Sequence, residues 1–188
     1  MTASNTPAQV SRIHQWLAAR SAWQRRGIAV VAGALATLGH APFQLTLLFV
    51  AAITVLVWLL DGVADRKNKR WSAFGVGFYF GLGHLTTGLY WVSSAFNVDS
   101  GAWGPIWGIP ATLGLAAGLA LFWGAGCALA MAFWTADARR IPWFAVSIFA
   151  SEWLRGHLFG GFPGFCRAMS GRPASQCRSS PRSSAFMG

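Results

Sequence analysis

A carboxylate and a guanidinium, Glu152 and Arg155, stand three positions apart inside the apolar run Ile141–Phe165. At i, i+3 spacing two side chains meet on one face of a helix, so the pair can close an ion pair there. The run ends in Gly160-Gly161-Phe162-Pro163-Gly164, which cannot continue a helix. The other reactive residue types are isolated. His40 and His84 have no partner at metal-ligand spacing, and His84, on a glycine-rich helix side, reads as a packing or hydrogen-bonding residue. Of the 3 cysteines, Cys127 lies mid-run among apolar residues as a small buried side chain. Cys166 and Cys177 have no Lys or Glu setting that would make either a nucleophile. There is no CxxC, no Cys/His cluster and no disulfide framework. No catalytic residue, metal or cofactor is therefore expected within these 188 residues.

Charged residues make up 11% of the chain and hydrophobic ones 54%, with a mean hydropathy of +0.44. A soluble domain carries about 25% charged residues, so water is the wrong solvent for most of this chain. The expected class is an all-α integral membrane protein, a polytopic bundle of about five transmembrane helices. The net charge of +10 does not imply nucleic-acid binding: the basic residues cluster between apolar runs, as the positive-inside rule requires.

The elements that would position Glu152 and Arg155 follow from these runs. Met1–Arg26 carries Arg12, Arg20, Arg25 and Arg26 and reads as a cytoplasmic segment without a cleavable signal. Its Val10–Trp23 part is either an amphipathic helix lying on the leaflet, with Val10, Ile13, Trp16, Leu17 and Trp23 to one side, or disordered. Gly27–Leu60 is too long for one span of about 20 residues. The break Gly39-His40-Ala41-Pro42-Phe43 divides it into helices over about 27–39 and 44–60. The basic loop 61–70 is cytoplasmic, and a third helix covers about 71–96, with a GxxxG at Gly77 and Gly81 read as a packing face. The loop 97–104 has no Lys or Arg and lies on the far side. A fourth helix over about 110–135 carries Gly114 and Gly118, the basic turn 136–140 is cytoplasmic again, and a fifth helix over about 142–159 crosses outward. Glu152, Arg155 and His157 then lie at the outer membrane boundary. The membrane domain is 27–165, and 166–188 follows as a tail.

That tail is rich in Ser, Arg and Pro and has no Leu, Ile, Val or Trp. Its composition is that of a disordered segment or of a GC-rich gene read in a shifted frame.

Several motifs share wording and order with a known family. They are the Gly39–Phe43 turn, Gly77-Phe78-Tyr79-Phe80-Gly81-Leu82-Gly83, Tyr90-Trp91-Val92, and most specifically Glu152-Trp153-Leu154-Arg155-Gly156 followed by Gly161-Phe162-Pro163. Over about residues 25–165 the chain resembles the N-terminal membrane part of bacterial apolipoprotein N-acyltransferase, a relative of the nitrilases. The resemblance implies the bacterial inner membrane, with a cytoplasmic N-terminus, and two substrates, a phospholipid and a lipoprotein. It implies transfer of a fatty acyl chain to the amine of the lipoprotein's N-terminal cysteine by a Glu-Lys-Cys triad on an outer αβ domain. In that triad the thiolate takes the acyl group, Glu handles the proton and Lys stabilises the oxyanion. This sequence has no Lys after Lys69 and no nitrilase-like αβ pattern. The expectation is therefore an acyltransferase membrane domain that is inactive alone, with lipoprotein a substrate only of the full-length family member.

Two readings of the singled-out residues stand side by side. Glu152 and Arg155 form either an interfacial ion pair that anchors a helix end, or a lipid-headgroup site near the mouth of the acyl site, lined also by Trp91 and Tyr90. The alternative for the whole chain is a small multi-spanning binding, transport or scaffold protein. The lack of an internal repeat and of further intramembrane charges disfavours transport.

Overall fold

The computed structural model describes Trp16 and residues 20–39, 45–99, 104–135 and 137–158. Most of Val10–Trp23, the His40–Phe43 turn, the loop 100–103, the Gly161-Phe162-Pro163 motif, Cys166, Cys177 and the rest of the tail lie outside the described residues. The described residues are all-helical, with six helices in order: α1 (Ala22–Thr37), α2 (Thr46–Asp61), α3 (Lys69–Gly88), α4 (Tyr90–Asp99), α5 (Gly104–Ala132) and α6 (Arg140–Leu158). The chain divides into two units, Met1–Arg155 and Gly156–Gly188. Of the second, only the last helical turn, 156–158, is described.

The helix starts and stops have local causes. α1 begins at Ala22, five residues before the apolar run, because Ser21 and Gln24 form a capping box: the Ser21 side chain accepts from the Gln24 N–H and the Gln24 side chain accepts from the Ser21 N–H. One helix over 71–96 is expected from the sequence, but the structure has two. α3 ends at Leu89, with φ −100° and ψ 11°, and α4 restarts at Tyr90. The break follows Thr86-Thr87-Gly88, residues of lower helix propensity than the run before them. α5 begins before Pro110 and carries that proline inside. Pro110 offers no N–H to the Ile106 carbonyl one turn back, and two residues on Thr112 donates its hydroxyl to the Gly108 carbonyl at 2.8 Å.

α3 is the hub. It packs most extensively on α5, then on α1, while α2 leans on α1 and α4 on α5. Glycines set these distances. A Cβ on Gly33 of α1 would run into the Phe80 carbonyl of α3, and one on Gly83 of α3 into the Val30 carbonyl of α1. Gly77 and Gly81 turn the other way. A Cβ on Gly77 would lie 2.6 Å from Cys127 Sγ, and one on Gly81 2.7 Å from Trp123 Cβ, both on α5. Backbones this close gain dispersion contacts that bulkier residues would forbid. Around these crossings lie the fully buried Phe80, Leu56, Leu59, Leu60, Met131 and Cys127. α6 buries Phe144, Ser147 and Ser151, sets Ser151 and Ile148 against Gly126 of α5, and stacks Trp143 on Phe133 at 5.0 Å.

The exterior is apolar. Val31, Leu47, Val50, Leu121, Val146 and Phe149, on α1, α2, α5 and α6, are each at least half exposed, Leu47 by 87%. An apolar surface spread over four helices calls for lipid or further apolar helices as its neighbour. Among the described residues one helix, over Ile106–Ala132, is long and apolar enough to cross a membrane; Thr46–Asp61 is apolar but shorter. At about 1.5 Å per residue its 27 residues reach about 40 Å, against about 30 Å of bilayer hydrocarbon.

Candidate functional site

Glu152 and Arg155 sit on the last two turns of α6, just past the inward-facing Ser147 and Ser151. Those serines are satisfied within their own helix, Ser147 donating to the Trp143 carbonyl at 2.8 Å and Ser151 to the Ile148 carbonyl at 3.2 Å. The inner stripe therefore asks nothing of the two charges, which pair with each other. Arg155 Nε donates to Glu152 Oε2 at 3.1 Å, and Arg155 Nη2 donates to the same oxygen. Glu152 Oε1 is shielded from solvent and accepts no hydrogen bond. Both nitrogens thus converge on one oxygen, and the remaining guanidinium N–H groups take no part in the pair.

Tyr90 and Trp91 open α4 and are 71% and 53% exposed. No hydrogen bond, ion pair or ring contact joins either to Glu152 or Arg155. They also lie at different levels: Ser151 meets Gly126 late in α5, where Gly77 of α3 meets Cys127, whereas Tyr90 lies beyond the end of α3. α3 runs from the end where α2 finishes and delivers Tyr90 to the opposite end, and α6, tied to Asp61 at its start, runs the same way. His157 is exposed on the last described turn. His84 is buried at the α1–α3 crossing, where its Nδ1 lies 3.1 Å from Thr37 Oγ1 and its ring 5.9 Å from that of Trp123. Thr37 donates its single hydroxyl proton to the His84 carbonyl at 2.9 Å, so the Nδ1 contact assigns the proton to the ring nitrogen. Among the described residues no group of three His, Cys, Asp or Glu side chains could hold a metal ion.

The opposite end holds two locks that reading the sequence treated only as basic loops. Arg25, 3% exposed, donates from Nη1 to the Gly62 carbonyl at 2.6 Å. Asp61 Oδ1 accepts from Arg140 Nη1 at 2.9 Å and from Trp134 Nε1 at 3.1 Å. Together they gather the start of α1, the end of α2, the residues after α5 and the start of α6. The Ser21-x-x-Gln24 pattern was a signal for the first of these; pairing across 79 positions left none in the sequence.

Among the described residues, fold and site define an all-helical bundle with an apolar exterior, a charged lock at one end and one ion pair on the last two turns of α6. The family model for the apolipoprotein N-acyltransferase N-terminal domain matches residues 32–170, and the chain belongs to that family. Curated apolipoprotein N-acyltransferases resemble it closely. That of Rhodopseudomonas palustris is 42% identical over 156 residues, covering 82% of this chain and 29% of the relative. Those of Rhizobium etli and Bradyrhizobium diazoefficiens are 40% and 44% identical, each over 75% of this chain and over 27% and 26% of the relative. The chain thus spans less than a third of the length of these relatives. No solved structure matches it at a significant level.

Proposed function

We propose that this chain is the membrane-embedded N-terminal part of a bacterial inner-membrane apolipoprotein N-acyltransferase. It has five crossings and a cytoplasmic N-terminus, and it supports acyl transfer from phospholipid to lipoprotein without performing the chemistry itself. The observation that carries this reading is the match over residues 32–170 to a domain named for that enzyme. Two features support the membrane part: the apolar exterior of α1, α2, α5 and α6, and the gathering of Arg25, Asp61, Arg66 and Arg140 where the positive-inside rule needs one shared side. The inactivity of these 188 residues follows from residue types. A thioester route needs a cysteine thiolate, a carboxylate and an oxyanion-stabilising Lys together, and no Lys follows Lys69.

In this reading the outer end of α6 serves the lipid substrate. Arg155, oriented by Glu152, offers its free N–H groups to a phospholipid headgroup, and Tyr90 and Trp91 set the interfacial depth on the same side.

Alkaline extraction should leave the chain in the membrane pellet. Reporters fused after Lys67 and after Asp137 should report the cytoplasm, and one in the 97–104 loop the far side. Recovery in the soluble fraction would end the membrane reading. Expression in cells depleted of the intact enzyme should not restore growth; rescue would refute the claimed inactivity. In a full-length relative, replacing the counterpart of Arg155 by Gln should raise KM for phospholipid more than it lowers kcat; an unchanged KM would remove the headgroup role.

A further inference from the structure

A cavity of about 110 Å³ opens at the end of the bundle where α1 and α3 begin, away from Glu152 and Arg155. Three arginines line it, Arg25 and Arg26 from α1 and Arg66 from the α2–α3 connection, with Trp71 and Ser72 of α3 beside them. Among the described residues no carboxylate lines it. The two nearest in sequence are turned elsewhere or open to solvent: Asp61 is bound to Arg140 and Trp134, and Asp65 is exposed.

Three cations around one small cavity repel one another unless an anion joins them. Arg25 is nearly fully buried and donates from Nη1 to the Gly62 carbonyl, so a guanidinium with five N–H donors has capacity left. Burial and the neighbouring Arg66 charge both lower the Arg25 pKa, which marks a cation placed without its counter-ion. Arg26 lies over the rings of Trp23 at 4.7 Å and Tyr79 at 5.4 Å, which hold its guanidinium against the helix. α3 begins here with no side-chain cap and no acidic residue in its first turn, so its unpaired N–H groups add positive potential to the same place. A water needs only about 15 Å³, so the cavity has room for one phosphate group with its oxygens hydrogen-bonded.

We propose that this arginine cavity binds the phosphate of an anionic phospholipid headgroup on the side where the chain begins, as a structural lipid separate from any acyl donor. The site rests on the membrane-embedded reading above and not on acyl transfer. Lipid is preferred over a soluble anion because Trp71, which lines the cavity, is 76% exposed, the placement of an interfacial aromatic beside a headgroup.

The test is thermal unfolding of the purified 188-residue chain in detergent micelles, with short-chain phosphatidylglycerol, phosphatidylcholine of the same chain length, or inorganic phosphate alone. Phosphatidylglycerol should raise Tm saturably and phosphatidylcholine should not. R66Q and R26Q should weaken the apparent affinity about tenfold each, the change expected for one lost charge-assisted hydrogen bond. R70Q, on an exposed residue that does not line the cavity, should leave it unchanged. Equal shifts with both lipids, or equal losses in R66Q and R70Q, would overturn the site. An equal shift with inorganic phosphate alone would overturn the lipid assignment. Chain that stays in the membrane pellet while showing no headgroup selectivity would sink this inference and leave the membrane reading standing.

Discussion

Asp61, the last residue of α2, accepts a hydrogen bond from Arg140, the first residue of α6, at 2.9 Å. Two helices that do not otherwise pack extensively are thereby joined at one end. The environment is lopsided: the Asp61 side chain is 9% exposed and that of Arg140 30%.

That asymmetry sets the first prediction. R140Q leaves a buried carboxylate without its cation, though Trp134 still donates to it, whereas D61N leaves a guanidinium that is 30% exposed. R140Q should therefore be the more destabilising change, between the ~1 kcal/mol of an exposed pair and the ~3–5 kcal/mol of a buried one. Thermal unfolding of both variants and of the double mutant in detergent checks it. An equal or reversed order would mean that the pair does not lock α6.

Glycine substitutions separate packing faces from open ones. Gly83→Ala drives a methyl into the Val30 carbonyl, and Gly33→Ala one into the Phe80 carbonyl, with backbone on the receiving side in both cases. Each should cost about 1–3 kcal/mol. Gly114 and Gly118 have nothing within 4 Å, so alanine there should change stability by less than about 0.5 kcal/mol. A comparable loss at Gly118 would show that the GxxxG on α5 meets a partner such as a second copy.

Cys127 lies fully buried against Gly77 of α3. In a C166S/C177S background it should resist maleimide while the chain is folded and react once the chain is unfolded, with mass spectrometry as the readout. Fast labelling of the folded chain would show that α3 and α5 separate.

Thr37→Ala removes the hydroxyl that meets both the carbonyl and Nδ1 of buried His84. The loss should be about 1 kcal/mol, because polar contacts in apolar bundles are worth modest amounts. Thr37→Ser keeps the hydroxyl and should restore most of it. If serine destabilises as much as alanine, the methyl rather than the hydroxyl holds the crossing.

Much of this was legible in the residues themselves. The low charge count anticipated the apolar exterior, the apolar runs located most of the helices, and the Glu152/Arg155 spacing announced its own ion pair, because these signals are local and repeat within a turn or two. The break at Leu89, the early start of α1 and the interior position of Pro110 are also local, and were open to a closer reading of capping and propensity. Other features depend on residues far apart in the chain. Which glycines meet α1 and which meet α5, the bond from Arg25 to Gly62, the lock of Asp61 with Arg140, and the closing of Arg25, Arg26 and Arg66 around one cavity were decided only when the helices crossed. A sequence prescribes what each helix turns to its own neighbours along the chain. Close backbone approach, through van der Waals contact that acts only over a few ångströms, chooses the neighbour across the gap.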